Sequence, residues 1–197
     1  MQVRAEHLDS PLGIGEREPR LSWVLPVGSG EQLAYEVEVD GIPVRVEGDA
    51  HVLVPWPGKA LTSGERREVR VRIETDAGLG QWSAPLGVEA GLLDQEDWSA
   101  AWVSTGAEAG AAGHRPAYRL RGEVTVDEPV VRARLYATAH GIYELFVDGR
   151  RVGTDELTPG YTEYASRTQV QTYDVTALLA PGSHVVEALL VDRKSVV

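Results

Sequence analysis

The chain has no cysteine among its 197 residues. That excludes disulfides, thiol nucleophiles and thiolate-held metals, and it fits a reducing compartment. No apolar run approaches the about 18 residues that a membrane-spanning helix needs. The opening Met1-Gln-Val-Arg-Ala-Glu-His7 is polar and no hydrophobic segment of the leader kind follows it. The expectation is a cytoplasmic chain without a membrane partner, secretion of a longer parent being left open. Basic residues are scarce: 19 Lys and Arg stand against 30 Asp and Glu, a net charge of −11, and each half of the chain is acidic on its own. Phosphate backbones require a basic face, so nucleic acid is not expected as a partner.

Helical periodicity is also missing, and period two takes its place. In Val131 to His140, Val131, Ala133, Leu135, Ala137 and Ala139 alternate with Arg132, Arg134, Tyr136, Thr138 and His140, predicting a strand with one buried face. Ile142 to Val147 follows and ends on Asp148-Gly149, a dipeptide suited to a type I′ turn because both residues tolerate positive φ. Arg150 to Val152 returns as the second arm. Pro159-Gly160 marks another turn, Arg167 to Tyr173 alternates again, a short turn covers Thr176 to Leu179, and His184 to Val191 is the last strand. Tyr118 to Val126 opens this region.

The first half reads similarly. Pro19 to Pro26 is a short strand bounded by prolines, with Leu21 and Trp23 on one face. Tyr35, Val37 and Val39 alternate with Glu36, Glu38 and Asp40 up to a hairpin signal at Asp40-Gly41. Further runs are Val44 to Val46, His51 to Val54, Glu68 to Glu74 and Gly87 to Ala90. Short strands with a turn about every 8–12 residues predict a seven-stranded immunoglobulin-like or fibronectin type III-like sandwich. All five Trp lie at or before Trp102, whereas six of seven Tyr and the only Phe come later, so two domains are expected. Between them Leu92 to Trp102 is read as one or two helical turns with Trp98 and Trp102 on one side, and Gly106 to Gly113 as a loop.

Three stretches carry a likeness: EHLDSPLGIGEREPRLSW (6–23), WSAPLGVEAGLLDQEDWSAAWV (82–103), and the run from Ala133 to Gly182 with its Pro-Gly-aromatic-Thr-acid-Tyr signature at Pro159 to Tyr164. In this order and spacing the chain resembles the N-terminal part of bacterial α-L-rhamnosidases, an inverting glycoside hydrolase family with an α/α-barrel catalytic domain. The resemblance implies an all-β chain: a fibronectin type III-like sandwich over 1–91, a linker over 92–116, and a partial jelly roll, a galactose-binding-like β-sandwich, over 117–197. It departs from the family at Arg67 and Val69, where aromatic residues are usual. After Val191 the family pattern would continue into further strands and the barrel that holds the catalytic acid and base, so this chain is expected to be inactive alone.

The residues themselves offer no catalytic site. Carboxylates in strands face outward, and Asp155-Glu156 and the trio Asp94, Glu96 and Asp97 read as solvated. The five histidines, His7, His51, His114, His140 and His184, lack zinc-motif spacing, and His140 reads as a strand-end residue. Gly13-Ile-Gly15 and Gly28-Ser-Gly30 lack the rest of a phosphate-cradling loop, and no calcium loop is present. No cofactor or metal is expected. Tyr136, Tyr143, Tyr161 and Tyr164 offer flat faces to a pyranose, with Asp148 or Glu163 as hydroxyl acceptors, but core and cross-strand roles for these tyrosines and a turn role for Asp148 are favoured, so no sugar-binding residue is assigned. The competing readings are a stand-alone carbohydrate-binding module and an interaction protein that forms a homo-oligomer through an exposed jelly-roll edge.

Overall fold

A computed structural model describes residues 1–103 and 117–191. The chain forms two compact units that divide between Ser99 and Ala100. In the first, the strands are β1 (Val3–Ala5), β2 (Leu12–Ile14), β3 (Leu21–Trp23), β4 (Gln32–Val39), β5 (Ile42–Glu47), β6 (Arg66–Thr75), β7 (Gly78–Leu79) and β8 (Leu86–Ala90). The main sheet runs β2-β8-β6-β4-β5, with β7 on the end of β6, and β2 lies parallel to β8. The opposing layer is β1 paired with β3, extended by backbone bonds between Leu21 and Val54.

Alternation makes this packing possible. Tyr35, Val37 and Val39 of β4 and Val69, Val71 and Ile73 of β6 point inward against Leu21, Trp23, Val54, Trp56 and Leu61. Trp23 lies 5.0 Å from Tyr35, ring centre to ring centre. Its indole N–H donates to Gln32 Oε1 at 3.0 Å, and the Gln32 amide donates to the carbonyls of Gly48 and Ala50. A buried amide is tolerated here because its donors and acceptor are all used. Asp40 and Gly41, at φ 48° and 84°, make the expected hairpin turn.

Two expectations fail in this unit. His51 to Val54 is not a regular strand, since Leu53 takes φ 52° and gives its N–H to the Ser22 hydroxyl, leaving Val54 as an isolated bridge. Leu92 to Trp102 holds only a single 3-10 turn at Gln95–Asp97, and Trp98, at φ −82° and ψ 105°, is already extended. Trp98 and Trp102 therefore share no helical face. Asp94, Glu96 and Asp97 are exposed, as read, and the stretch is tied to the first unit by other contacts. Leu93 packs on the first core, Arg17 binds Asp94 at 2.5 Å, and the Asp97 carboxylate accepts from the Ser63 hydroxyl and the Asp94 N–H.

The second unit contains β9 (Tyr118–Val126), β10 (Arg134–Ala137), β11 (Ile142–Val147), β12 (Arg150–Arg151), β13 (Gln171–Asp174) and β14 (Gly182–Val191). A four-stranded antiparallel sheet, β12-β11-β14-β9, and the pair β10-β13 enclose its core. Tyr143, Leu145 and Val147 stand directly across from Leu190, Ala188 and Val186, and this inner face packs with Leu135, Ala137 and Tyr173. Asp148 and Gly149, at φ 49° and 74°, form the expected turn. The strand at Val131 starts later than read: Val131 is 94 % exposed, and pairing begins only at Arg134, opposite Asp174. Likewise Arg167 to Val170 is not strand, because Ser166 and Arg167 turn back onto the Glu163 carbonyl. The Gly106 to Gly113 loop and His114 lie outside the described residues.

Candidate functional site

Acidic side chains of the first unit's main sheet are held in ion pairs. On the outer face of the first unit's main sheet, Arg72 holds Glu36 at 2.6 Å, Arg70 pairs with Glu38, Arg45 binds both Glu47 and Glu74, and Arg67 joins Asp40 to Glu65. Trp82 lies under this ladder, with the Arg72 guanidinium 4.4 Å from its ring centre. Among the described residues, where the environment moves a carboxyl, it moves it down. The Glu68 N–H and Arg67 lower Asp40, Thr62 lowers Glu65, and Ser63 lowers Asp97. Arg20 lowers Glu6, and Thr176 lowers Asp174. A glycosidic general acid needs the opposite shift. An open depression of about 620 Å³ carries Glu16 and Glu18, but Arg17 between them is held by Asp94 and the Leu61 carbonyl.

Among the described residues no group of three His, Asp or Glu converges as a cation cage, and no helix is long and apolar enough to cross a membrane. His184 belongs to the turn, with Nδ1 2.6 Å from Asp148 Oδ2 and Nε2 2.6 Å from the Ala180 carbonyl. Tyr143 is core: it is buried, its hydroxyl meets that of Tyr173 at 3.1 Å and Gln171 Oε1 at 2.9 Å, and burial pushes its pKa up. Of the four tyrosines considered for sugar, this one is removed.

Tyr161 and Tyr164 stand differently. Tyr161 is 75 % exposed and Leu157, at φ 57°, is 66 % exposed. With Gly141, Ile142, Gly160 and Tyr164 they line a pocket of about 180 Å³. Behind it, Tyr164 stacks on His140, centroids 4.7 Å apart with planes at 14°, and His140 lies 4.4 Å from Trp102. His140 is thus the middle of an aromatic row. The sequence reading missed that row, because its members come from three segments of the second unit with no shared period. The pocket loop is tied down: the Tyr143 N–H donates to the Thr158 carbonyl and the Thr158 hydroxyl to the Tyr143 carbonyl, both at 2.9 Å, while Gln171 Nε2 donates to the Pro159 carbonyl.

Residues 1–94 match the family model described as the Rha78A-like N-terminal immunoglobulin domain, and residues 128–192 match the α-L-rhamnosidase N-terminal domain. These are the N-terminal domains of the α-L-rhamnosidase family. Curated α-L-rhamnosidases similar to the chain include one from Alteromonas sp. (strain LOR), 31 % identical across 92 % of this chain and 22 % of its own length. Another, from Streptomyces avermitilis, is 46 % identical across 49 % of this chain and 10 % of its own length. Among solved structures, the Aspergillus terreus α-L-rhamnosidase superposes with a TM-score of 0.88 at 41 % identity, over 96 % of this chain and 23 % of that one. The Dictyoglumus thermophilum enzyme gives 0.89 at 25 % identity, over 100 % and 25 %. The chain therefore spans about a fifth to a quarter of the rhamnosidases it matches over nearly its whole length, and both of its β-sandwich units belong to their N-terminal region.

Proposed function

We propose that this chain is the non-catalytic N-terminal accessory region of an α-L-rhamnosidase, and that hydrolysis of terminal α-L-rhamnosides resides in parts of the parent protein that these residues do not span. The observation that carries the reading is the coverage: 92 % of the chain aligns with a rhamnosidase of which it makes up 22 %. The carboxylates support it. Inverting hydrolysis, which the family resemblance implies, needs two carboxyls about 6.5–9.5 Å apart across a sugar, one raised in pKa. Among the described residues the displaced carboxyls are all lowered by donors or arginines, and the pocket of about 180 Å³ has no carboxylate in its wall.

Incubation of the 197-residue chain with an aryl α-L-rhamnoside tests the reading. No release of the aglycone above the uncatalysed rate is expected. Turnover that a single Asp or Glu substitution abolishes would overturn it.

A further inference from the structure

The pocket beside Tyr161 and Tyr164 turns its apolar side chains outward: Leu157 and Tyr161 are two of the most exposed large apolar residues of the second unit. Its two rings form a corner, with centres 6.1 Å apart and planes at 54°. Rings at that tilt do not sandwich a flat molecule, but one compact group can touch both. At about 180 Å³ the pocket suits a head group and not an extended ligand, whose pockets run upward from about 300 Å³. Ile142 and Leu157 add aliphatic wall, and no Lys or Arg lines it. Glu163, between the two tyrosines in sequence, is exposed. Among the described residues neither its carboxylate nor either phenol hydroxyl has a hydrogen-bond or ion-pair partner. The corner stands before any ligand arrives, since Tyr164 is backed by His140 and Trp102 and the loop from Leu157 to Gly160 is fixed through Thr158, Pro159 and the Gly160 N–H to Leu157 carbonyl bond. Binding is then not weakened by ordering the wall.

We propose that this corner binds an organic cation, the trimethylammonium head of a choline-like compound. A ring face carries the negative part of the aromatic quadrupole and attracts a cation within about 6 Å of its centre. With the two centres 6.1 Å apart, one quaternary nitrogen can lie within that reach of both Tyr161 and Tyr164. A trimethylammonium group has no N–H to satisfy, which matches a wall whose only side-chain polar atoms are two phenol oxygens. Its methyl groups meet Ile142 and Leu157, so the charge is held without loss of apolar contact. A primary ammonium or a guanidinium would leave donors unpaired in this wall. Anions are disfavoured by the missing basic lining, by Glu163 and by a net charge of −11. The site stands on the pocket alone and does not depend on where hydrolysis resides.

The test is titration of the ¹⁵N-labelled 197-residue chain with choline chloride at constant ionic strength, followed by amide shifts. A second titration uses the neutral isostere in which a tert-butyl group replaces the trimethylammonium. Saturable shifts confined to Gly141, Ile142, Leu157, Gly160, Tyr161 and Tyr164 are expected with millimolar choline, and the isostere binds about tenfold more weakly. Tyr161→Ala removes one face of the corner and weakens choline binding about tenfold, and because Tyr161 is exposed the rest of the spectrum is unchanged. Tyr161→Phe keeps the ring and binds within about twofold of the original chain. Absence of shifts up to about 100 mM choline overturns the site, as do shifts that survive Tyr161→Ala unchanged. Equal binding of the isostere shows an apolar pocket without preference for charge and overturns the cation assignment. Turnover of a rhamnoside by the chain would overturn the accessory reading and leave this site standing.

Discussion

Asp148 fills the left-handed position of the β11–β12 turn, accepts the Val185 N–H on Oδ1 at 2.8 Å, and holds His184 Nδ1 on Oδ2. His184 Nδ1 faces the Asp148 carboxylate, and Nε2 lies 2.6 Å from the Ala180 carbonyl and 3.2 Å from the Ala180 N–H; the two close acceptors favour the imidazolium, which donates from both nitrogens. The Ala180 carbonyl and then Asp148 raise the His184 pKa above 6.5, while the Val185 N–H and then His184 lower that of Asp148 below 3.8. The signs follow from linkage. The histidine's contribution is complete below its unfolded value and fades as pH rises through the raised folded pKa. The carboxylate's contribution is complete above its unfolded value and fades as pH falls through the lowered one. Stability of the second unit from this pair is therefore greatest between about pH 3.8 and 6.5 and declines on the alkaline side. Thermal melts across this range are expected to show that decline, and His184→Gln to remove its slope without creating a new one. A His184 proton titration with a midpoint below 6.5 would refute the assignment.

At the scale of elements, the hairpins were legible because an Asp-Gly pair between alternating runs fixes both turn and register, as at Asp40-Gly41 and Asp148-Gly149. What was not legible depends on partners distant in sequence. Val131 continues an apolar alternation, but β13 supplies no strand partner beyond Asp174, so the sheet ends at Arg134. Leu53 sits in a β-rich run, yet the Ser22 hydroxyl captures its N–H from 31 residues away. His140 gains its role only from Trp102 and Tyr164. Gly153 shows the same dependence and offers a test. At φ 71° it already occupies backbone space suited to glycine, and a Cβ there would stand 2.6 Å from Tyr173 Cε1. Gly149, at φ 74°, has nothing within 4 Å of that position. Gly149→Ala should cost only the left-handed conformation, about 1–2 kcal/mol. Gly153→Ala adds overpacking of about 1–3 kcal/mol and displaces the ring that bonds Tyr143. Urea unfolding should rank the two in that order, and equal losses would show that the Tyr173 ring yields freely.

Among the sheet edges of the described residues, the longest is β9. It pairs with β14 along nine residues, and among the described residues no strand lies on its other side. Unpaired edges invite a second chain, and the sequence of β9 is nearly self-complementary when run against itself. An antiparallel pair centred on Gly122 sets Arg121 opposite Glu123, Leu120 opposite Val124 and Tyr118 opposite Val126. Opposite charges and apolar pairs directly across a ladder are stabilising, and like charges are not. This register predicts a reversible dimer whose mass in light scattering rises from 21.4 kDa toward twice that value with concentration. Added salt weakens such a dimer, because its central pairs are exposed. Glu123→Arg places Arg121 against arginine at both ends of the centre and keeps the chain monomeric, and Arg121→Glu does the same with the opposite sign. The double exchange, Arg121→Glu with Glu123→Arg, restores the pairing and with it the dimer. Recovery in the double variant separates edge pairing from any loss of fold in the single ones, and a wild-type chain that stays at 21.4 kDa at every concentration excludes it.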